Sequence, residues 1–102
     1  MQERRAAERL RIDLEVRWEA LRTQGRGDVC DLSSQGCFVL TSAEVKPGDL
    51  IRIEIKFPGE IAPLWGHVAY AVAEIGFALR FAFADDADKE SLSQLIESLN
   101  RS

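Results

Sequence analysis

The sequence predicts a mainly β fold: a six-stranded antiparallel barrel with an arm before its first strand and one α-helix at the C-terminal end. Three observations predict it. Apolar and polar residues alternate with a period of two through much of the chain, short runs of β-branched and aromatic residues are separated at regular spacing by Gly, Pro, Ser and Asp, and a helical period appears only after Asp85-Asp86. Closing six short strands into a barrel removes the exposed edges that an open sheet would leave.

The first strand is read from Ile12, where Ile12, Leu14, Val16, Trp18 and Ala20 alternate with Asp13, Glu15, Arg17 and Glu19. Residues 23–28 are rich in turn formers and predict a reversal before a short second strand over residues 29–32. The polar stretch Ser33-Ser34-Gln35-Gly36 turns the chain into a third strand over residues 37–41. Lys46-Pro47-Gly48-Asp49 is a turn in which Pro fixes φ, and Leu50, Ile51, Ile53, Ile55 and Phe57 beyond it mark the fourth strand. Pro58-Gly59-Glu60 ends that strand, and residues 64–72 and 76–83 predict a closing hairpin. Leu92, Leu95, Ile96 and Leu99 then recur at i, i+3, i+4 and i+7 behind an acidic first turn, which predicts an amphipathic helix. Trp18 and Trp65 lie on strand patterns where core packing is the expected role, and His67 is expected to be structural. The organisation is an arginine-rich arm over residues 1–11 and a single barrel-plus-helix domain over residues 12–102.

With 102 residues, 46% hydrophobic and 29% charged, the chain can bury a core without disulfide staples and is neither disordered nor fibrous in composition. No apolar run approaches the roughly 18–20 residues needed to span a bilayer, and residues 1–5 lead into no signal-peptide core, so the expected location is the cytoplasm. Cys30 and Cys37 are read as reduced, partly buried thiols, because with His67 alone as a further soft ligand they cannot complete a zinc site. The net charge of −4 excludes a general affinity for long nucleic acid. Its distribution is uneven, however: the first eleven residues hold four Arg against two Glu, which suits a small anion held by a few placed arginines. A nucleophile–base pair, a metal cluster and a GxxxxGK phosphate loop are all missing from the sequence, so catalysis is not expected.

Two short elements stand out. Arg5 and Arg9 form an RxxxR segment with Arg4 directly before it, and about twenty residues later Asp31, Ser33 and Gly36 form DxSxxG between the second and third strands. Together they resemble the signature of the PilZ domain family, and the resemblance extends through the Pro47-Gly48-Asp49 turn, the Gly76-Phe77-Ala78-Leu79-Arg80-Phe81 strand and the final helix. Each motif alone is weak, since DxSxxG arises by chance in on the order of a few per cent of chains this long.

The resemblance implies a PilZ-type barrel that binds cyclic di-GMP through Arg4, Arg5, Arg9, Asp31, Ser33 and Gly36, without a further cofactor or metal. It also implies that the arm orders on binding and signals to an unidentified protein partner. The residue types suit such a ligand. Arginine presents a planar fork to phosphate oxygens or to guanine O6 and N7. Asp31 would accept hydrogen bonds from guanine N1 and N2, Ser33 would add a hydroxyl, and Gly36 is expected to supply a positive φ and room for the ligand. In this family a basic residue at the Arg4 position implies a stacked pair of ligand molecules. The competing reading is a PilZ-like protein–protein adaptor that binds no nucleotide, in which Asp31 and Ser33 simply satisfy their own turn. Whether Arg80, Trp65 or His67 touches the ligand is left open by the sequence.

Overall fold

The computed structural model describes residues 10–83 and 85–100. Six strands, β1 (Leu10–Glu19), β2 (Gln24–Leu32), β3 (Gly36–Leu40), β4 (Leu50–Phe57), β5 (Glu60–Val72) and β6 (Gly76–Ala82), precede one helix, α1 (Asp86–Asn100). All neighbouring strands are antiparallel, and they close into a barrel in the order β1-β2-β3-β6-β5-β4. The chain is therefore the expected mainly β barrel with a C-terminal helix.

Alternation explains the core. Val16 and Trp18 of β1, Ile51, Ile53, Ile55 and Phe57 of β4, and Phe77, Leu79 and Phe81 of β6 point inward and are buried, whereas Arg17, Glu19 and Arg80 between them are exposed. Trp18 meets Phe77 edge-on, with ring centroids 5.5 Å apart. Helix α1 adds Leu92, 1% exposed, while Leu95, Ile96 and Leu99 pack partly buried against the same core. The Asp85 carboxylate accepts the Asp88 N–H at 3.1 Å and so caps the helix start, with Asp86 and Asp88 favourably placed in the first turn.

Four expectations change in detail. Strand β1 begins at Leu10, two residues inside the expected arm, because Leu10 and Arg11 pair with Leu32 and Asp31. Strand β2 starts at Gln24 instead of residue 29, and the reversal is confined to residues 20–23, where Ala20 N–H donates to Thr23 O at 2.7 Å. The glycines that suggested a longer turn serve the strand pairing: Gly25 lies opposite Trp18, and a Cβ there would sit 2.9 Å from the indole. Strand β5 begins at Glu60, four residues before the expected start, since residues 60–63 continue the ladder with β4. Trp65 is not a core residue: it lies out of phase with the buried Leu64, Gly66 and Val68, on the outer face, and is 49% exposed. His67 shares that outer face and is also exposed.

Candidate functional site

Two β-bulges decide which side chains share the outer face beside the DxSxxG turn. Strict alternation from the buried Val29 would send Asp31 inward. The register between β2 and β3 slips at Cys30, so that Val29 pairs with Val39 but Asp31 pairs with Phe38. Leu32 then takes the inward position opposite Cys37, and Asp31 stands on the outer face, half-buried. Strand β5 does the same at Ala69: Val68 pairs with Leu79, yet Tyr70 pairs with Ala78, which turns Tyr70 outward. Asp31, Phe38, Ala78 and Tyr70 therefore form one continuous row across β2, β3, β6 and β5. The adjacent row holds Gly36, Arg80 and His67.

The turn joining β2 to β3 is held from within. Ser33 Oγ accepts the N–H groups of Gln35 at 3.1 Å and Gly36 at 3.3 Å, and Ser33 N–H donates to Gly36 O at 2.9 Å. Gln35 O accepts the N–H of Phe81 at 2.8 Å, which ties the turn to β6. Ser33, 8% exposed, thus engages its hydroxyl within the turn while lining the opening beside it. Gly36 does not take the positive φ that a glycine there would allow. The described glycines with positive φ are Gly48 and Gly59, and Gly36 is not among them. It is required because a Cβ would collide with the backbone carbonyl of Leu79 on β6.

A cleft of about 1020 Å³ opens beside this turn, lined by Ser33, Gln35, Gly36, Tyr70, Arg80 and Lys89 among others. Its volume suits a ligand of several hundred daltons. Arg80 and Lys89 place cationic donors in it, and the Tyr70 ring, 53% exposed and 6.3 Å from the Phe38 ring, offers an aromatic face for stacking. Such a lining suits an anion that carries planar bases. The structure brings together Asp31, Ser33 and Gly36 on one side of the barrel. Arg4, Arg5 and Arg9 lie outside the described residues. Tyr70 and Lys89 were not signalled by the sequence, since a bulge cannot be read from alternation and a helix residue has no fixed place relative to a barrel strand. Arg80, left open by the sequence, lines the cleft.

Cys37, facing inward beneath the turn, is buried, and its thiol is pushed well above its usual range, first by that burial and then by the nearby Asp31 and Cys30. Neither cysteine is in a disulfide; Cys30 is half-buried at the bulge, whereas Cys37 is buried and not partly so. Among the described residues, no helix is long and apolar enough to cross a membrane.

The comparisons with known proteins agree with this geometry. The family model of the PilZ domain matches residues 3–99. The fold is similar to the PilZ domain of CeSA from a cellulose-synthesizing bacterium, with a TM-score of 0.78 at 20% identity, covering 91% of this chain and 98% of that one. It is also similar to the inhibitor of motility of Bacillus subtilis, with a TM-score of 0.70 at 17% identity over 99% of this chain, which spans 54% of that protein's length. An uncharacterised Legionella protein matches with a TM-score of 0.62 at 17% identity, covering 92% and 95% of the two chains. No curated protein sequence resembles the chain closely enough to count as a match. A family match over nearly the whole length, on a closed barrel that carries the DxSxxG turn between β2 and β3, makes this chain a member of the PilZ domain family.

Proposed function

We propose that the protein is a cyclic di-GMP receptor that signals to a partner protein, in keeping with a family whose members are generally receptors or adaptors for this messenger. The observation that carries the reading is the cleft beside the Asp31–Gly36 turn, where the cationic side chains of Arg80 and Lys89 and the aromatic face of Tyr70 converge. In this reading Arg5 and Arg9, with Arg4, fold over the cleft and meet phosphate and guanine edges. Arg80 and Lys89 supply charge from the barrel side, Tyr70 stacks on a base, and Asp31 reads the guanine Watson–Crick edge. Ser33 and Gly36 shape the turn. The anion recruits the arm, and the reshaped surface is what a partner reads. Charge-assisted hydrogen bonds of roughly 1.5–3 kcal/mol each are offset by about 1–2 kcal/mol for each arm residue ordered, so a Kd near micromolar is expected. Arg4 beside the RxxxR segment favours two stacked ligand molecules.

Calorimetric titration with cyclic di-GMP, with cyclic di-AMP as control, tests this. Saturable binding with a ratio near two is expected, lost in Arg5→Ala and Asp31→Ala and weakened on the order of tenfold or more in Arg80→Ala. No heat at high micromolar ligand would instead favour an adaptor that binds no nucleotide. The observation on that side is Ser33, whose hydroxyl is engaged within its own turn.

A further inference from the structure

A second polar surface lies on the outer face of β2, β1, β4 and β5. Gln24, Glu19, Arg52 and Trp65 are successive cross-strand partners there, and the next row holds Arg26, Arg17, Glu54 and Pro63. A groove of about 410 Å³ runs over the Trp18–Gly25 strand pair between Arg17, Arg26, Arg52, Glu19 and Glu54. It shares no lining residue with the cleft beside the DxSxxG turn.

Arg17 and Arg26 stand directly opposite one another across β1 and β2, and like charges so placed repel. Glu54, the cross-strand neighbour of Arg17 on β4, is engaged by Arg52 at 3.0 Å. Among the described residues, neither Arg17 nor Arg26 meets a carboxylate within ion-pair distance. Beside Arg52, Trp65 leaves about half of its surface, 49%, in solvent on the same outer face.

We propose that this face is a docking surface for an acidic, extended segment of a partner protein. One carboxylate of the segment bridges Arg17 and Arg26, and a neighbouring apolar side chain covers Trp65. Charge complementarity selects the occupant: two opposed guanidinium groups gain most from a shared anion, which also removes their mutual repulsion. Arg and Trp are the side chains that concentrate binding energy at protein interfaces. Glu19 and Glu54 in the same groove oppose a continuous phosphodiester backbone, as does the net charge of −4, so a discrete carboxylate fits better than nucleic acid.

The test is panning of a random linear peptide library on the full chain, followed by anisotropy titration of the enriched peptides. Enriched sequences are expected to combine Asp or Glu with an apolar residue. Their affinity should fall on the order of tenfold or more in Arg17→Gln/Arg26→Gln and in Trp65→Ala, and stay unchanged in Arg80→Ala. The glutamine pair keeps polar side chains at exposed positions, and a thermal midpoint no lower than that of the native sequence verifies its fold. The proposal is overturned by a lack of enrichment, by enriched peptides without acidic residues, by undiminished binding to the double variant, or by an equal loss in Arg80→Ala. Tight binding of single-stranded oligothymidine that disappears in the same double variant would also overturn it.

Discussion

Ser33 and Gly36 show how motif residues shape the turn that carries them. The Ser33 hydroxyl holds two backbone amides of its own turn, and Gly36 is glycine because the Leu79 carbonyl occupies the space of a Cβ. Of the three motif residues described, Asp31 is the one whose row runs on to Tyr70. Cys37 beneath them gives a pH-dependent signature. The folded state holds the thiol proton to higher pH than the unfolded chain does, so its contribution is fully present below the ordinary thiol pKa of about 8.5. Above that value the unfolded chain ionises first, and stability falls as pH rises. Urea unfolding at neutral pH and near pH 10 should show this loss in the native sequence and a smaller one in Cys37→Ala. An equal loss in both would remove Cys37 as the cause.

At the scale of elements, the bulges at Cys30 and Ala69 and the helix α1 carry the consequences. Each bulge adds one residue to a strand and resets which face the following side chains take, so Asp31 and Tyr70 reach the same side of the barrel. Strand alternation was legible in the sequence and these two slips were not, because a bulge is fixed by the partner strand's register. Helix α1 was legible from its own period of 3.6. Its attachment rests on Leu92, so Leu92→Ala should cost about 2–5 kcal/mol, whereas Asp85→Ala, which removes only the cap, should cost about 0.5–2 kcal/mol. Urea melts of both variants check the order. A Leu92→Ala loss no larger than that of the cap variant would mean that the helix packs loosely on the barrel.

For the whole molecule, a closed barrel offers a stiff platform with two outer sites that share no lining residue: the cleft beside the motif turn and the arginine groove over β1, β2 and β4. On the proposed function the messenger binds the folded state alone, so cyclic di-GMP should raise the unfolding free energy by about 2.7 kcal/mol at roughly 100 times Kd. That corresponds to a thermal midpoint higher by on the order of 10 °C, read by differential scanning. Hydrogen exchange in residues 1–11 should slow on the same addition. A midpoint shift without slower exchange there would keep the receptor and discard the ordering of the arm.

The sequence by itself determined the fold class, the family, the position of the motif turn and the helix, because each of these is written in local periodicity or in a short motif at fixed spacing. It misplaced the starts of β1, β2 and β5 and the face of Trp65. Strand ends depend on a partner: Gly25 reads as a turn residue until Trp18 is placed opposite it, and Trp65 reads as core until its neighbours Leu64 and Gly66 are seen to take the inward positions. Only the tertiary structure decided that Arg80, Tyr70 and Lys89 join the motif turn in one cleft and that Arg17 opposes Arg26. Those juxtapositions come from barrel closure and register, which bring together residues far apart in the chain.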